Sequence, residues 1–113
     1  MNASAATLSE IRADPVLAAF RDELRAAYGE RLHRLILFGS RARGEARPDS
    51  DYDLAVVLRD FRSFSQEAFR LGDLAQPLIV QFGKAIHAQP FRPDQIDART
   101  PLMHEIRREG LDV

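Results

Sequence analysis

Two short groups of residues have the chemistry to handle a phosphate. Gly39-Ser40 ends one apolar run and opens a turn, and Asp51-Tyr52-Asp53 starts another apolar run. Glycine lets the backbone approach a phosphate closely, and a turn that opens a helix presents free N–H groups to an anion. Two carboxylates two residues apart on a strand project from one face, where their repulsion favours binding of a divalent cation. Oxygen ligands alone predict Mg²⁺, which takes phosphate oxygens as further ligands.

Arginines surround the turn, and their planar guanidinium groups suit phosphate oxygens. Arg41 and Arg43 are therefore predicted to bind nucleotide together with Gly39 and Ser40. Each pattern is commonplace alone, but the ten residues 41–50 between them place a phosphate binder beside a metal pair. Phosphoryl or nucleotidyl transfer needs both parts, so Asp51 and Asp53 are predicted as metal ligands and as catalytic residues.

The segments around this stretch predict an α/β (α+β) domain with a small mixed β-sheet packed with helices. Helices are expected from Thr7, from Asp14-Pro15 to Gly29, from Phe64, and from Thr100-Pro101 to Gly110, and strands are expected at 32–38, 53–58 and 84–89. Segment 53–58 shows no alternation of polar and apolar residues, which predicts a central strand buried on both faces. Pro90 is expected to end the third strand.

One segment leaves two interpretations open. Pro77 interrupts an apolar stripe of helical spacing, because proline lacks an N–H group and clashes with the preceding turn. The stripe is compatible with a single kinked helix over 64–82. It is also compatible with a helix to Ala75 followed by a strand at 78–82. The unbroken stripe favours the single helix.

Length and composition set the broad class. The 113 residues fit one domain, 1–113, in which residues 1–6 are expected to be disordered. The net charge of −1 gives no general reason to bind nucleic acid directly. No apolar run is long enough to span a membrane, the first ten residues lack the pattern of a signal peptide, and cysteine is absent. These features together predict a cytoplasmic protein.

The central stretch also carries a family resemblance. Gly39-Ser40-Arg41-Ala42-Arg43-Gly44, followed by Ser50-Asp51-Tyr52-Asp53-Leu54, resembles the signature of the DNA polymerase β-like nucleotidyltransferase superfamily, in particular its minimal (MNT-type) branch. The resemblance implies the polymerase β-like fold and Mg²⁺-dependent transfer of a nucleoside monophosphate, AMP from ATP, with the first group holding the triphosphate and the aspartates holding metal.

The same resemblance implies a biological setting. Many members of the minimal branch are antitoxins paired with HEPN-domain toxins, and such antitoxins can attach AMP to a tyrosine of the toxin. The expected partners are therefore a nucleoside triphosphate and a HEPN-type toxin, whose protein hydroxyl would be the acceptor. Oligomerisation stays open.

The chain departs from the family at a third carboxylate, which usually lies on a later strand beside the aspartate pair. The predicted third strand carries His87 or Gln89 at that place. His87 could act as a general base, or Asp94, Asp97 or Glu105 could reach the site from the following segment. Alternatively, the domain is a catalytically degenerate binding module that neutralises its partner by contact. A small-molecule nucleotidyltransferase is a further alternative, disfavoured because no second domain is evident.

Overall fold

The structure is a computed structural model that describes residues 7–113. Its elements in chain order are α1 (Leu8–Arg12), α2 (Pro15–Tyr28), a first 3₁₀ turn (Gly29–Arg31), β1 (Leu32–Phe38), α3 (Ser40–Arg43), β2 (Tyr52–Leu58), α4 (Phe64–Phe82), β3 (Ile86–Phe91), a second 3₁₀ turn (Pro93–Asp97), α5 (Pro101–Glu109) and β4 (Leu111–Asp112). Residues 1–6, where disorder is expected from the sequence, lie outside the described residues.

The four strands form one mixed sheet in the order β3-β2-β1-β4. β1 pairs antiparallel with β2 and with β4, whereas β2 and β3 run parallel. The predicted α/β class and mixed sheet are therefore confirmed. β2 is central, as its apolar sequence indicates: Leu54 and Val56 face one core cluster, and Ala55 and Val57 face the other. Helices α2 and α4 cover the first face, and α5 with the second 3₁₀ turn covers the second.

The predicted start of α2 is confirmed in detail. Asp14 is the N-cap and its Oδ1 accepts hydrogen bonds from the N–H groups of Val16 and Leu17, at 2.8 and 3.3 Å. Pro15 occupies the first helical position, where its missing N–H group would have had no intrahelical acceptor. The helix then buries a stripe that includes Leu17, Phe20 and Leu24 against the sheet.

Segment 64–82 is a single helix, which confirms the favoured interpretation. Ser63 caps α4 through the N–H of Gln66, and the helix continues past Pro77 to a Gly83 C-cap. Its buried residues Leu71, Ala75 and Leu78 lie on both sides of the proline in sequence, so packing holds the helix together across the interruption.

The sheet differs from the prediction at both edges. β3 is shifted by two residues and contains Pro90, which was expected to end it. Proline is tolerated there because β3 is an edge strand that pairs only with β2. β4, only two residues long, was not predicted. Within residues 7–113, every helix is too short or too polar to serve as a transmembrane segment.

Candidate functional site

The turn after β1 lies directly against the start of β2. Phe38, the last residue of β1, is the Cα partner of Asp53, so the following Gly39 reaches the Asp53 side chain. Gly39 has φ 78°, and a Cβ built on it would overlap Asp53 Oδ2. The turn and the carboxylate can therefore approach this closely only because residue 39 is glycine. Ser40 opens α3, and the N–H groups of Ser40 and Arg41 have no intrahelical acceptor.

His87 lies beside the aspartate pair, in the place where a third carboxylate is expected. It is the Cα partner of Asp53 across the parallel β2–β3 ladder. Its Nε2 is 3.0 Å from Asp51 Oδ2, and both side chains are about half exposed, 58% and 52%. Gln89, the other residue considered for this place, is the partner of Ala55 and lies farther along the strands.

Asp53 is the more enclosed of the two aspartates. Burial is the largest cause that raises the pKa of its carboxyl group above the ordinary value. The neighbouring His87 and Arg43 side chains lower this pKa, and the carboxylates of Asp51 and Glu105 raise it. The pKa of Asp53 is raised overall, so its surroundings disfavour the ionised form of the carboxyl group. A cation bound between Asp51 and Asp53 would relieve that cost.

Arg41 fixes the loop that carries Asp51. Its guanidinium donates to the Ser50 carbonyl at 2.8 and 3.0 Å and to the Pro48 carbonyl at 3.4 Å. It also stacks on the Tyr52 ring, with 3.9 Å between Cζ and the ring centroid. Lys84 adds a hydrogen bond to the same Pro48 carbonyl at 3.0 Å. Arg41 was predicted to bind nucleotide, whereas its contacts in the described residues hold the loop.

Arg43 is surrounded by carboxylates. It pairs with Glu45 at 2.6 Å and with two glutamates of α5, Glu109 at 3.1 Å and Glu105 at 3.6 Å. Sequence analysis predicted a phosphate contact for this side chain, considered Glu105 only as a substitute for the third carboxylate, and did not identify Glu109. The two glutamates lie more than sixty residues away, and no local pattern marks them.

Of the three acidic residues considered as substitutes for the missing carboxylate, one approaches the site. Glu105 on α5 contributes to the field at Asp53 and pairs with Arg43. Asp94 and Asp97 lie in the second 3₁₀ turn, which follows the end of β3 distant from Asp53. Within residues 7–113, no three His, Cys, Asp or Glu side chains are arranged to hold a metal ion. A cation at the aspartate pair would thus need oxygen ligands from a bound substrate or water.

A supporting pair under the site escaped the sequence analysis. The Tyr52 hydroxyl donates to Asp14 Oδ2 at 2.8 Å, while the other oxygen of Asp14 caps α2. The ring of Tyr52, which lies between the two aspartates in sequence, is buried. The residue between Asp51 and Asp53 therefore anchors the pair to the core from the opposite face of β2.

Comparisons with known proteins bear on the family and on the fold. The model of the nucleotidyltransferase domain family matches residues 17–100. A solved structure described as a minimal nucleotidyltransferase is 29% identical, with a TM-score of 0.56, and the match covers 97% of this chain and 99% of that one. A search of curated proteins finds no significant match.

Two further solved structures come from toxin–antitoxin complexes. One, crystallised with AMP-PNP, is 23% identical with a TM-score of 0.62 over 84% of this chain and 69% of that one. The other contains a tri-AMPylated HEPN toxin of Shewanella oneidensis with its MNT antitoxin, and is 19% identical with a TM-score of 0.51 over 91% and 69%. At sequence identities this low, the similarity to these two structures shows a shared fold.

Proposed function

Because the chain belongs to the nucleotidyltransferase domain family, we propose that it transfers AMP from ATP to a hydroxyl group of a partner protein in a Mg²⁺-dependent reaction. The observation that carries the proposal is the contact between the Gly39 turn and the Asp53 carboxylate. This contact supports the proposal because backbone N–H groups suit phosphate oxygens and the neighbouring carboxylates suit a metal ion. A turn and an aspartate in separate parts of the fold would not support such a reaction.

The proposed reaction is one displacement at phosphorus. The acceptor hydroxyl oxygen forms a bond to the α-phosphorus of ATP, and the bond from that phosphorus to the bridging oxygen breaks. Pyrophosphate leaves, and the hydroxyl proton passes to a base or to water. The products are the AMP ester of the partner and pyrophosphate, so atoms and charge balance without a further reactant.

Each residue of the site has a proposed task. The N–H groups and hydroxyl at Gly39-Ser40 bind the triphosphate, and Asp51 and Asp53 hold Mg²⁺. Bound there, Mg²⁺ supplies charge neutralisation for the phosphate oxygens and the leaving pyrophosphate. His87 is a positioning residue, since its Nε2 lies 3.0 Å from Asp51 Oδ2 and would orient that carboxylate.

The arginines have different proposed tasks. Arg41 keeps the loop with Asp51 in place through the Ser50 carbonyl. Arg43 can bind a phosphate only if it breaks its ion pairs with Glu105 and Glu109. Its proposed role in nucleotide binding therefore requires the guanidinium to exchange these carboxylates for phosphate oxygens.

The proposed partner is a HEPN-type toxin, and this chain would act as its antitoxin. The support is the family together with structural neighbours that are described as toxin–antitoxin complexes, one of which contains an AMPylated HEPN toxin. The acceptor would then be a hydroxyl group of the toxin.

The test is transfer of label from α-labelled ATP to a co-purified partner. Wild-type protein with Mg²⁺ is expected to label the partner, and Asp51→Asn/Asp53→Asn is expected to label none. Asp22→Asn/Asp73→Asn is a matched control, because it removes two exposed aspartates of α2 and α4 that lie outside the site. Equal labelling by the wild type and the Asp51→Asn/Asp53→Asn variant would show that the metal assignment is wrong.

A specific observation favours the binding module as second candidate. His87 lies beside Asp53 where a third carboxylate is expected, and Arg43 pairs with the α5 carboxylates of Glu105 and Glu109. Such a domain would neutralise its partner by contact without chemistry. Rescue of cells from the toxin distinguishes the two candidates: the Asp51→Asn/Asp53→Asn variant rescues fully if contact suffices, and fails if AMP transfer is required.

A further inference from the structure

A second concave region lies apart from the proposed catalytic site. It is a groove of about 600 Å³ between α2 and the first half of β1. Its lining residues are Arg12, Arg21, Arg25, Gly29, Leu32, His33, Arg34, Leu35, Asp112 and Val113. None of them belongs to the aspartate pair, the Gly39 turn or β3, so the groove calls for a separate explanation.

The groove carries an excess of positive charge. Four arginines line it, and Asp112 is the only acidic side chain among the lining residues. Asp112 is already used by Arg34, through bonds of 3.0 and 3.2 Å. Within residues 7–113, Arg12, Arg21 and Arg25 have no carboxylate side chain as an ion-pair partner. This end of the molecule is thus locally basic in a chain whose net charge is −1.

Two of these arginines have a visible structural task, whereas the third does not. Arg12 donates to the Asp112 carbonyl at 3.1 Å, and Arg21 donates to the Val113 carbonyl at 2.9 Å, which ties down the β4 segment. Arg25 lies exposed in the last turn of α2, and its side chain makes no hydrogen bond in the part of the chain that the structure describes. Its guanidinium is free for a ligand in the groove.

The strand beside the groove is open. β4 pairs with Ile36 and Leu37 of β1, and the N–H of Val113 donates to the Leu35 carbonyl at 2.8 Å. Beyond that point no described strand pairs with β1 on this side. The register between β1 and β2 shifts between Leu32 and Arg34, which bends this end of β1 away from a regular ladder. An extended chain thus has room here, with arginines rather than a continuous ladder as its main contacts.

We propose that this arginine groove binds an acidic, extended segment of a partner protein. Arginine forks pair with carboxylates in a planar, bidentate way. Arg12, Arg21 and Arg25 line a groove whose one acidic side chain, Asp112, already pairs with Arg34. The inference does not depend on the proposed AMP transfer. It describes a docking surface that a binding module and an enzyme could use equally.

The lining favours a peptide over a nucleic acid. Proteins that bind single strands combine basic side chains with aromatic rings on which bases stack. No Phe, Tyr or Trp lines this groove. The backbone of β1 beside the groove offers instead the kind of contact that an extended peptide makes.

The probe is a fluorescein-labelled peptide of about eight alternating glutamate and valine residues, which spans about 26 Å when extended. The intact protein is expected to bind it and to bind no lysine–valine counterpart. Arg25→Glu should weaken binding about tenfold or more, because it replaces an attraction by a repulsion. Arg99→Glu is the matched control: it changes the same exposed residue type outside the groove and should leave the affinity unchanged. Circular dichroism checks that both variants fold.

Amide shifts of the ¹⁵N-labelled protein locate the peptide. Changes at 32–35 and in the last two turns of α2 support the groove. Changes centred on Gly39-Ser40 would overturn the proposal, because the peptide would then occupy the proposed nucleotide site. Equal weakening by Arg25→Glu and Arg99→Glu would also overturn it, as would tighter binding of a single-stranded oligouridine than of the acidic peptide.

Discussion

Replacing Gly39 with alanine tests the close contact that defines the candidate site. Gly39 has φ 78° and ψ −157°, a conformation that residues with a Cβ rarely adopt. The new Cβ would overlap Asp53 Oδ2 and lie 3.2 Å from Asp53 Cγ and 3.4 Å from Asp53 Cβ. Turning the carboxylate would relieve the overlap only by moving a predicted metal ligand. The substitution is therefore expected to damage both stability and the site.

Gly29→Ala separates backbone strain from overlap. Gly29 has φ 56° and ψ −128°, and an added Cβ meets nothing within 4 Å. Strain of about 1–3 kcal/mol is expected in both variants. Overpacking adds about 1–3 kcal/mol in Gly39→Ala alone. Because each kcal/mol lowers the melting temperature of a chain this long by about 4 °C, Gly39→Ala should melt about 4–12 °C below Gly29→Ala.

Thermal unfolding followed by circular dichroism measures this difference. AMP transfer below both melting temperatures reports the site. A displacement of reacting groups by about 1 Å costs about 10²-fold in rate, so Gly39→Ala should transfer about 10²-fold more slowly and Gly29→Ala at the wild-type rate. Equal melting temperatures for the two variants would refute the contact between the turn and Asp53.

Three further outcomes are expected. His87→Asp gives up the contact with Asp51 and adds a carboxylate beside Asp53; because an added metal ligand should outweigh a lost positioning contact, AMP transfer is expected to rise about tenfold, or about 1.4 kcal/mol, and a rate at or below that of the wild type would contradict that role of the position. Tyr52→Phe removes the bond to Asp14 and should lower the free energy of unfolding in urea by about 1–3 kcal/mol, whereas a stability equal to wild type would show that the bond contributes nothing. Burial, and next a hydrogen bond to a carboxylate, raises the pKa of Tyr28 and of Tyr52. Folding therefore favours the neutral phenols. This contribution to the free energy of unfolding is full below the ordinary tyrosine pKa of about 10 and falls as the pH rises above it. Since these are the only two tyrosines, phenolate absorbance should appear together with unfolding, and its appearance in a protein still folded by circular dichroism would contradict the shifts.

Local signals were enough to predict most of the scaffold. The Asp14-Pro15 pair marks the start of α2, because a cap and a proline at the first helical position are both local features. The apolar run of β2 predicted a central strand, which its burial confirms. The unbroken stripe across Pro77 predicted correctly that packing would keep α4 whole.

Contacts between distant segments set the rest. Pro90 has no N–H group to donate to a neighbouring strand, so its presence argues against a strand that is paired on both sides. Only the strand order reveals that β3 lies at an edge of the sheet. β4 has only two residues, too few to show the alternation of polar and apolar side chains that predicts a strand. Arg41 contacts a carbonyl of the loop that follows it, and Arg43 contacts a carboxylate of α5, far along the chain. Residue type alone does not reveal these partners, and it suggested a phosphate contact for both arginines. Sequence order left both His87 and Gln89 open for the place beside the aspartates, and the register between β2 and β3 puts His87 there.

The central claim is that the Gly39-Ser40 turn and the aspartate pair together hold one metal–triphosphate group. Calorimetric titration with a non-hydrolysable ATP analogue, with and without Mg²⁺, tests it most directly. Wild-type protein is expected to bind the analogue at least about tenfold more tightly with Mg²⁺, which corresponds to about 1.4 kcal/mol. Asp51→Asn/Asp53→Asn is expected to lose this difference. Analogue binding that is independent of Mg²⁺, or equally dependent on it in the variant, would contradict the account.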